Sequence, residues 1–402
     1  MNDGDQAAVV LEEERPPVAP QRSHLAWIVL PLALLALAGA WLFLADPLRV
    51  FDTGAPPIEK LTFERTVLDE HGIHLKVRAG GSEPMRIAQV QVDESYWTFV
   101  QDPPGDLARL SSAWIRIPYP WVVGEAHTVK AVTNTGATFE HEIEVAVATP
   151  KPHVNQLWPQ ALVGAFIGIL PVAIGLMFYP ALRRLGPDGM RFILGLTGGL
   201  LLFLLIDALE DALEVAGRAA AAFQGHVMVA VVALLSFLGL FAAGRRHGAP
   251  RGLALAAYIA LGIGLHNLGE GLAVGAAFAA GAASLGAFLV LGFTLHNVTE
   301  GIAIAAPVLK ERPPLRTFVA LALLAGAPAV LGMWLGSLAL TPQWAALALA
   351  IGAGAILQVL AEVGALLVRG RSGTAPASAT AILVGVVAGV AVMYVTGLLV
   401  KI

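Results

Sequence analysis

Two segments, His266-Asn267-Leu268-Gly269-Glu270-Gly271 and His296-Asn297-Val298-Thr299-Glu300-Gly301, place an imidazole, an amide and a carboxylate at one repeated spacing. In each, His and Glu are four positions apart, so on a helix they stand one turn apart on the same face. Asn267 is turned by about 100° from His266 and can serve an adjacent site. Two such helices packed together would bring two imidazoles, two carboxylates and two amides to one depth. That nitrogen and oxygen donor set suits zinc and other first-row divalent ions, with the carboxylates also admitting manganese. The chain has no cysteine, which removes thiolate ligation, disulfides and thiol redox chemistry. Both segments interrupt long apolar stretches. A carboxylate at mid-membrane depth costs on the order of 3 kcal/mol, so intramembrane His and Glu mark a functional site.

The elements that must position these groups follow from composition and periodicity. Of the 402 residues 57% are hydrophobic and 13% charged, against about one-quarter charged in a soluble domain. This is a membrane composition, with roughly 20 apolar residues needed per span. The net charge of −4 is spread through loops and gives no reason to expect a nucleic-acid partner. Eight apolar stretches are expected as spans: Leu157–Tyr179, Phe192–Leu213, Val227–Ala243, Leu253–Phe278, Ala283–Leu309, Thr317–Leu340, Trp344–Val368 and Ala379–Val400. Basic residues fill every second connection: Arg183, Arg184 and Arg191, then Arg245, Arg246 and Arg251, then Lys310, Arg312 and Arg316, then Arg369 and Arg371. The positive-inside rule puts those connections in the cytoplasm and both ends of the eight-helix core outside.

Ahead of the core, residues 1–24 read as a disordered cytoplasmic leader, acidic at Glu12, Glu13 and Glu14. Residues 25–45 read as a membrane anchor, or as a signal peptide with its cleavage site near Ala38-Gly39-Ala40. Residues 50–149 change texture to short alternating runs such as His74 to Arg78, Ile87 to Val92 and Trp114 to Ile117, which predict a small extracytoplasmic β-sandwich. His127 to Thr133 and Thr138 to Val145 flank Asn134-Thr135-Gly136, a hairpin signal. His141 shares a strand face with Phe139 and Ile143 and reads as an inward or edge histidine rather than a metal ligand.

With these motifs in hand, the chain over about residues 157–402 resembles the ZIP family of divalent-metal transporters, in particular its bacterial branch. The resemblance implies a mainly α, polytopic eight-helix core whose mid-membrane metal site is lined by His266, Asn267, Glu270, His296, Asn297 and Glu300. It departs from the family in carrying Gly269 and Thr299 where Pro commonly precedes each motif Glu. It also has Ala327 before Pro328 where relatives with two metals add a Glu, which implies one tightly held metal. The His-rich cytoplasmic loop of many relatives is reduced to Arg245-Arg246-His247.

Other polar groups outline a path. Asp207, Glu210, Asp211 and Glu214 gather toward the outer end of the second core helix, where negative potential would draw cations or a wet helix end would simply be solvated. Gln358 and Glu362 lie in the inner half of the seventh, and Glu362 matches an acidic position that relatives place on the metal release route. The expected function is transport, not enzyme catalysis: zinc or another divalent transition metal, carried as substrate across the cell's inner membrane into the cytoplasm. The expected partners are the metal ion, the lipid bilayer and a second copy in a homodimer. Two alternatives are a membrane-embedded metal-dependent hydrolase, which needs an open metal position for activated water and a free general base, and a metal-gated receptor signalling through the outer region.

Overall fold

A computed structural model describes residues 24–45, 47, 57–150, 154–246, 248–279, 283–338, 341–369 and 376–400. Residues 1–23 of the expected leader, His247 and Arg371 lie outside the described residues. About 65% of the chain is helical, alongside a small antiparallel β region of two sheets. Residues 1–56 and 57–402 form separate compact units. In the first, the expected anchor is a helix, α1 (His24–Ala45), with Pro31 inside it.

The alternating segments become eight strands: β1 (Leu61–Asp69), β2 (Gly72–Ala79), β3 (Ile87–Val92), β4 (Ser95–Trp97), β5 (Val100–Asp102), β6 (Ser112–Ile117), β7 (His127–Thr133) and β8 (Thr138–Ile143). They pair antiparallel as β1-β2-β6-β5 and β4-β3-β7-β8. Inward residues of both sheets, among them Ile73, Leu75, Val90, Ile115, Ile117 and Val129, form one apolar core. The short strands β4 and β5 escape the alternation rule because three residues hold too little pattern. His141 stacks on Phe63 with ring centroids 4.9 Å apart and sits 2.7 Å from the Thr66 hydroxyl, the edge role expected of it. Asp93, beyond the end of β3, ties two elements together. It accepts from His127 Nδ1 and from the Tyr119 hydroxyl, each at 2.8 Å, and from the Thr128 N–H at 2.9 Å. Burial pushes the Asp93 carboxyl up, but these hydrogen bonds outweigh it and hold the group below its usual range. Burial and the same bond push the Tyr119 hydroxyl up to about 12.

The apolar stretches form α2 (Leu157–Ile167), α3 (Ile169–Met177), α4 (Tyr179–Leu182), α5 (Pro187–Gly217), α6 (Gly225–Arg245), α7 (Gly252–Ala279), α8 (Ala283–Ala305), α9 (Leu315–Ser337), α10 (Pro342–Arg369) and α11 (Pro376–Val400). Among the described residues, seven helical segments are long and apolar enough to cross a bilayer, with Val29–Leu42 and Ala379–Val395 as shorter apolar helices. The first expected core span is broken at Gly168 and Phe178 into α2, α3 and α4. Pro171 explains the first break, because it has no N–H for the carbonyl of Ile167.

The helices differ in how much of each is enclosed. More than half of the most apolar part of α7 is buried but almost none of α6, so α7 belongs to the centre and α6 to the periphery. Close packing around α7 depends on small residues: Gly271 and Gly275 face the Ala329 and Met333 carbonyls of α9, while Gly332 and Gly336 face the Leu268 and Leu272 carbonyls of α7. A β-carbon on Gly271 would stand 2.1 Å from the Ala329 oxygen, so the helix backbones touch directly there. Gly301 of α8 and Gly175 of α3 make the equivalent contact on the other side.

Candidate metal centre

Both His-Asn-x-x-Glu segments lie within helices, α7 and α8, as their spacing requires. All six groups are buried: His266, Asn267, Glu270, His296, Asn297 and Glu300 are each at most 9% exposed. The two asparagines do structural work that the sequence alone does not disclose. Asn297 Nδ2 donates to the Ile167 carbonyl at 2.9 Å, the acceptor that Pro171 leaves without its helical donor. Asn267 Nδ2 donates to the Ala325 carbonyl at 3.0 Å, beside Pro328 in α9. Each motif therefore anchors its helix to a proline-containing neighbour and leaves its Asn Oδ1 buried without a hydrogen-bond partner among the described residues.

Glu270 crosses to the second motif. Its Oε1 lies 3.0 Å from His266 Nε2 and 2.5 Å from His296 Nε2, and its Oε2 accepts from Asn297 Nδ2 at 2.9 Å. An ionised carboxylate only accepts, so these bonds make each imidazole a donor at Nε2. Glu300 has a different environment: both its oxygens are buried, neither meets a donor in full hydrogen-bonding geometry among the described residues, and the polar group beside it is the Asn267 amide. One ring nitrogen of His266, one of His296 and one oxygen of Glu300 lie within 4.8 Å of one another. Donors on a single tetrahedral zinc are about 3.3 Å apart, so the three need to close by no more than about 1.5 Å around an ion. The donors fit a dication. Two nitrogens are available, an unpaired carboxylate supplies charge, Glu270 is within reach of both imidazoles, and two amide oxygens seek a positive partner.

A small cavity adjoins this cluster, lined by Thr197 and Leu201 of α5, His296, Thr299 and Glu300 of α8, and Met393 of α11. Thr197 and Met393 carry no sequence signal, since an isolated Thr or Met in an apolar run reads as packing. Thr299 occupies the position before the motif Glu, and its hydroxyl bonds back to the His296 carbonyl at 2.6 Å. Such back-bonding bends a helix slightly.

The remaining expected path residues are not in the cluster. Asp207, Glu210, Asp211 and Glu214 follow Thr197 on α5 by 10 or more positions, or about 15 Å and beyond. Glu210, Asp211 and Glu214 are exposed, and Glu214 pairs with Arg218 at 2.5 Å. Ala327 is half-buried on α9. Gln358 and Glu362 are buried on α10, and Glu362 accepts from Arg245 of α6 at 2.7 Å.

No protein-family model matches this chain, and a search of curated proteins finds no significant match.

Proposed function

We propose that this chain is a multi-pass membrane transporter that carries zinc, or a closely related divalent metal ion, into the cytoplasm through the His266, Asn267, Glu270, His296, Asn297 and Glu300 centre. The observation that carries this reading is Glu300, a carboxylate buried in an apolar helix bundle beside two imidazoles, with neither oxygen in full hydrogen-bonding geometry among the described residues. An unpaired buried carboxylate is costly, since as an ion it lacks a countercharge and as an acid it lacks the hydrogen bonds that water would supply. A transient dication compensates it, and imidazole and carboxylate donors release that dication more readily than a thiolate cage would.

The resemblance to ZIP transporters supports the same reading, with α11 as the eighth core span, the basic loops inside and the β region outside the cell membrane. The repeated construction supports it too. Each motif grips a proline-containing helix, α2–α3 or α9, and a rocking of those elements about α7 and α8 would expose the centre to alternate sides.

Metal-competition uptake into sealed proteoliposomes tests the proposal. Zinc should enter, and His266→Ala should weaken zinc more than manganese, because losing an imidazole penalises the metal that prefers nitrogen. A zinc ion held at the centre with no flux under any gradient would overturn transport and favour the receptor or hydrolase alternatives.

A further inference from the structure

The ion pair of Arg245 and Glu362 is unusual in its setting. Glu362 has a side chain 1% exposed, and only its Oε1 is engaged, by Arg245 Nη1 at 2.7 Å. Its Oε2 is buried and has no hydrogen-bond partner among the described residues. One turn earlier on α10, Gln358 is equally buried, and its Oε1 is unpartnered as well. That oxygen points at α7 beside Gly262, where a β-carbon would stand 2.9 Å from it. Gly262 is one turn from His266. Two vacant acceptors, Gln358 Oε1 and the second oxygen of Glu362, thus run from beside α7 to the end of α6, where Arg245 is 28% exposed and lies 3.5 Å over the Phe241 ring.

An ion pair built for stability would be bidentate, with both carboxylate oxygens satisfied. Even then, a buried pair is seldom more stable than apolar packing of the same volume. Here the guanidinium meets a single oxygen, and its exposed side and its stacking on Phe241 give it a second place to rest. The oxygens left over are what a cation would need. They are oxygen donors only, a poorer set for zinc than the nitrogen-containing centre one turn away.

We propose that Arg245 is a tethered cation that occupies an exit site. Gln358 Oε1 and the Glu362 carboxylate form an oxygen-only cation site, and an ion leaving the His/Glu centre takes the place of the Arg245 guanidinium on Glu362. Return of the guanidinium expels the ion. Glu362 faces a cation at each stage: the single charge of the guanidinium neutralises it at rest, while a dication leaves one positive charge in excess, which favours the ion's departure. This inference rests on the transport reading and adds to it a device that keeps the exit carboxylate from trapping the ion it passes.

The test counts bound zinc on the full chain in detergent and maps Arg245 chemically. Arg245→Met should bind one more zinc per protomer than the wild type, and the gain should vanish in the Arg245→Met, Glu362→Gln double variant. In the wild type, labelling of Arg245 by a dicarbonyl reagent, read by mass spectrometry against Arg246, should rise severalfold with saturating zinc. An unchanged zinc count in inserted Arg245→Met overturns the proposal, and so does labelling that zinc does not alter. If Arg245→Met fails to insert, the wild-type labelling decides. Glu300→Gln, counted in parallel, reports on the centre alone: if it keeps the wild-type count, the central assignment fails, while the gain in Arg245→Met is read independently.

Discussion

Asn297→Ala isolates the tie between the metal centre and the broken first helix. The side chain donates to two buried acceptors, the Ile167 carbonyl and Glu270 Oε2, and its removal leaves both unsatisfied. An orphaned neutral acceptor costs about 1–3 kcal/mol and a lost hydrogen bond to a charged group about 1.5–3, so the expected loss is roughly 3–5 kcal/mol. Asn267→Ala is the matched control. It releases the Ala325 carbonyl and a looser contact with Glu300, and the Oδ1 left without a partner among the described residues in both asparagines cancels in the comparison. Its expected loss is about 1–3 kcal/mol, leaving a gap of about 2 kcal/mol between the variants. Reversible denaturant unfolding in mixed micelles measures both. Equal losses, or a larger loss for Asn267→Ala, would refute the assignment of Asn297 as the double anchor.

Gly271→Ala should destabilise the bundle by about 1–3 kcal/mol, because its β-carbon meets the Ala329 carbonyl, whereas Gly364→Ala, with open space around it inside α10, should be neutral or stabilising by up to about 1 kcal/mol in the same unfolding assay. The β region should loosen in acid. The folded Asp69 and Asp93 carboxyls are held below their unfolded values, so their stabilisation is present above about pH 4 and lost as pH falls through the folded values. Hydrogen exchange in β7 should rise over that window, and Asp93→Asn should flatten the rise. A rise of the same size in Asp93→Asn would assign the acid sensitivity to other groups.

How much of this was legible in the sequence depends on whether a feature is local. The His-x-x-x-Glu spacing fixed a shared helix face at both motifs, and the apolar runs located α5 to α10, because both signals repeat within a few residues. The breaks at Gly168 and Phe178 were harder to read, although Pro171 inside an apolar run was the available clue. The functions of Asn267 and Asn297 as anchors of other helices were hidden, since they depend on carbonyls 58 and 130 positions away. Arg245 read as one more basic loop residue. Its partner is 117 positions distant, and no local pattern announces that pairing.

The central claim is that Glu270 and Glu300 compensate a dication in transit, and zinc flux into proteoliposomes measures it most directly. Removing one carboxylate charge about 4 Å from another charge forfeits on the order of 4 kcal/mol per unit charge at the effective dielectric of a protein site. Glu300→Gln and Glu270→Gln should therefore each abolish nearly all uptake at micromolar zinc while the protein inserts in wild-type amount. Flux near the wild-type rate in both variants would contradict the account.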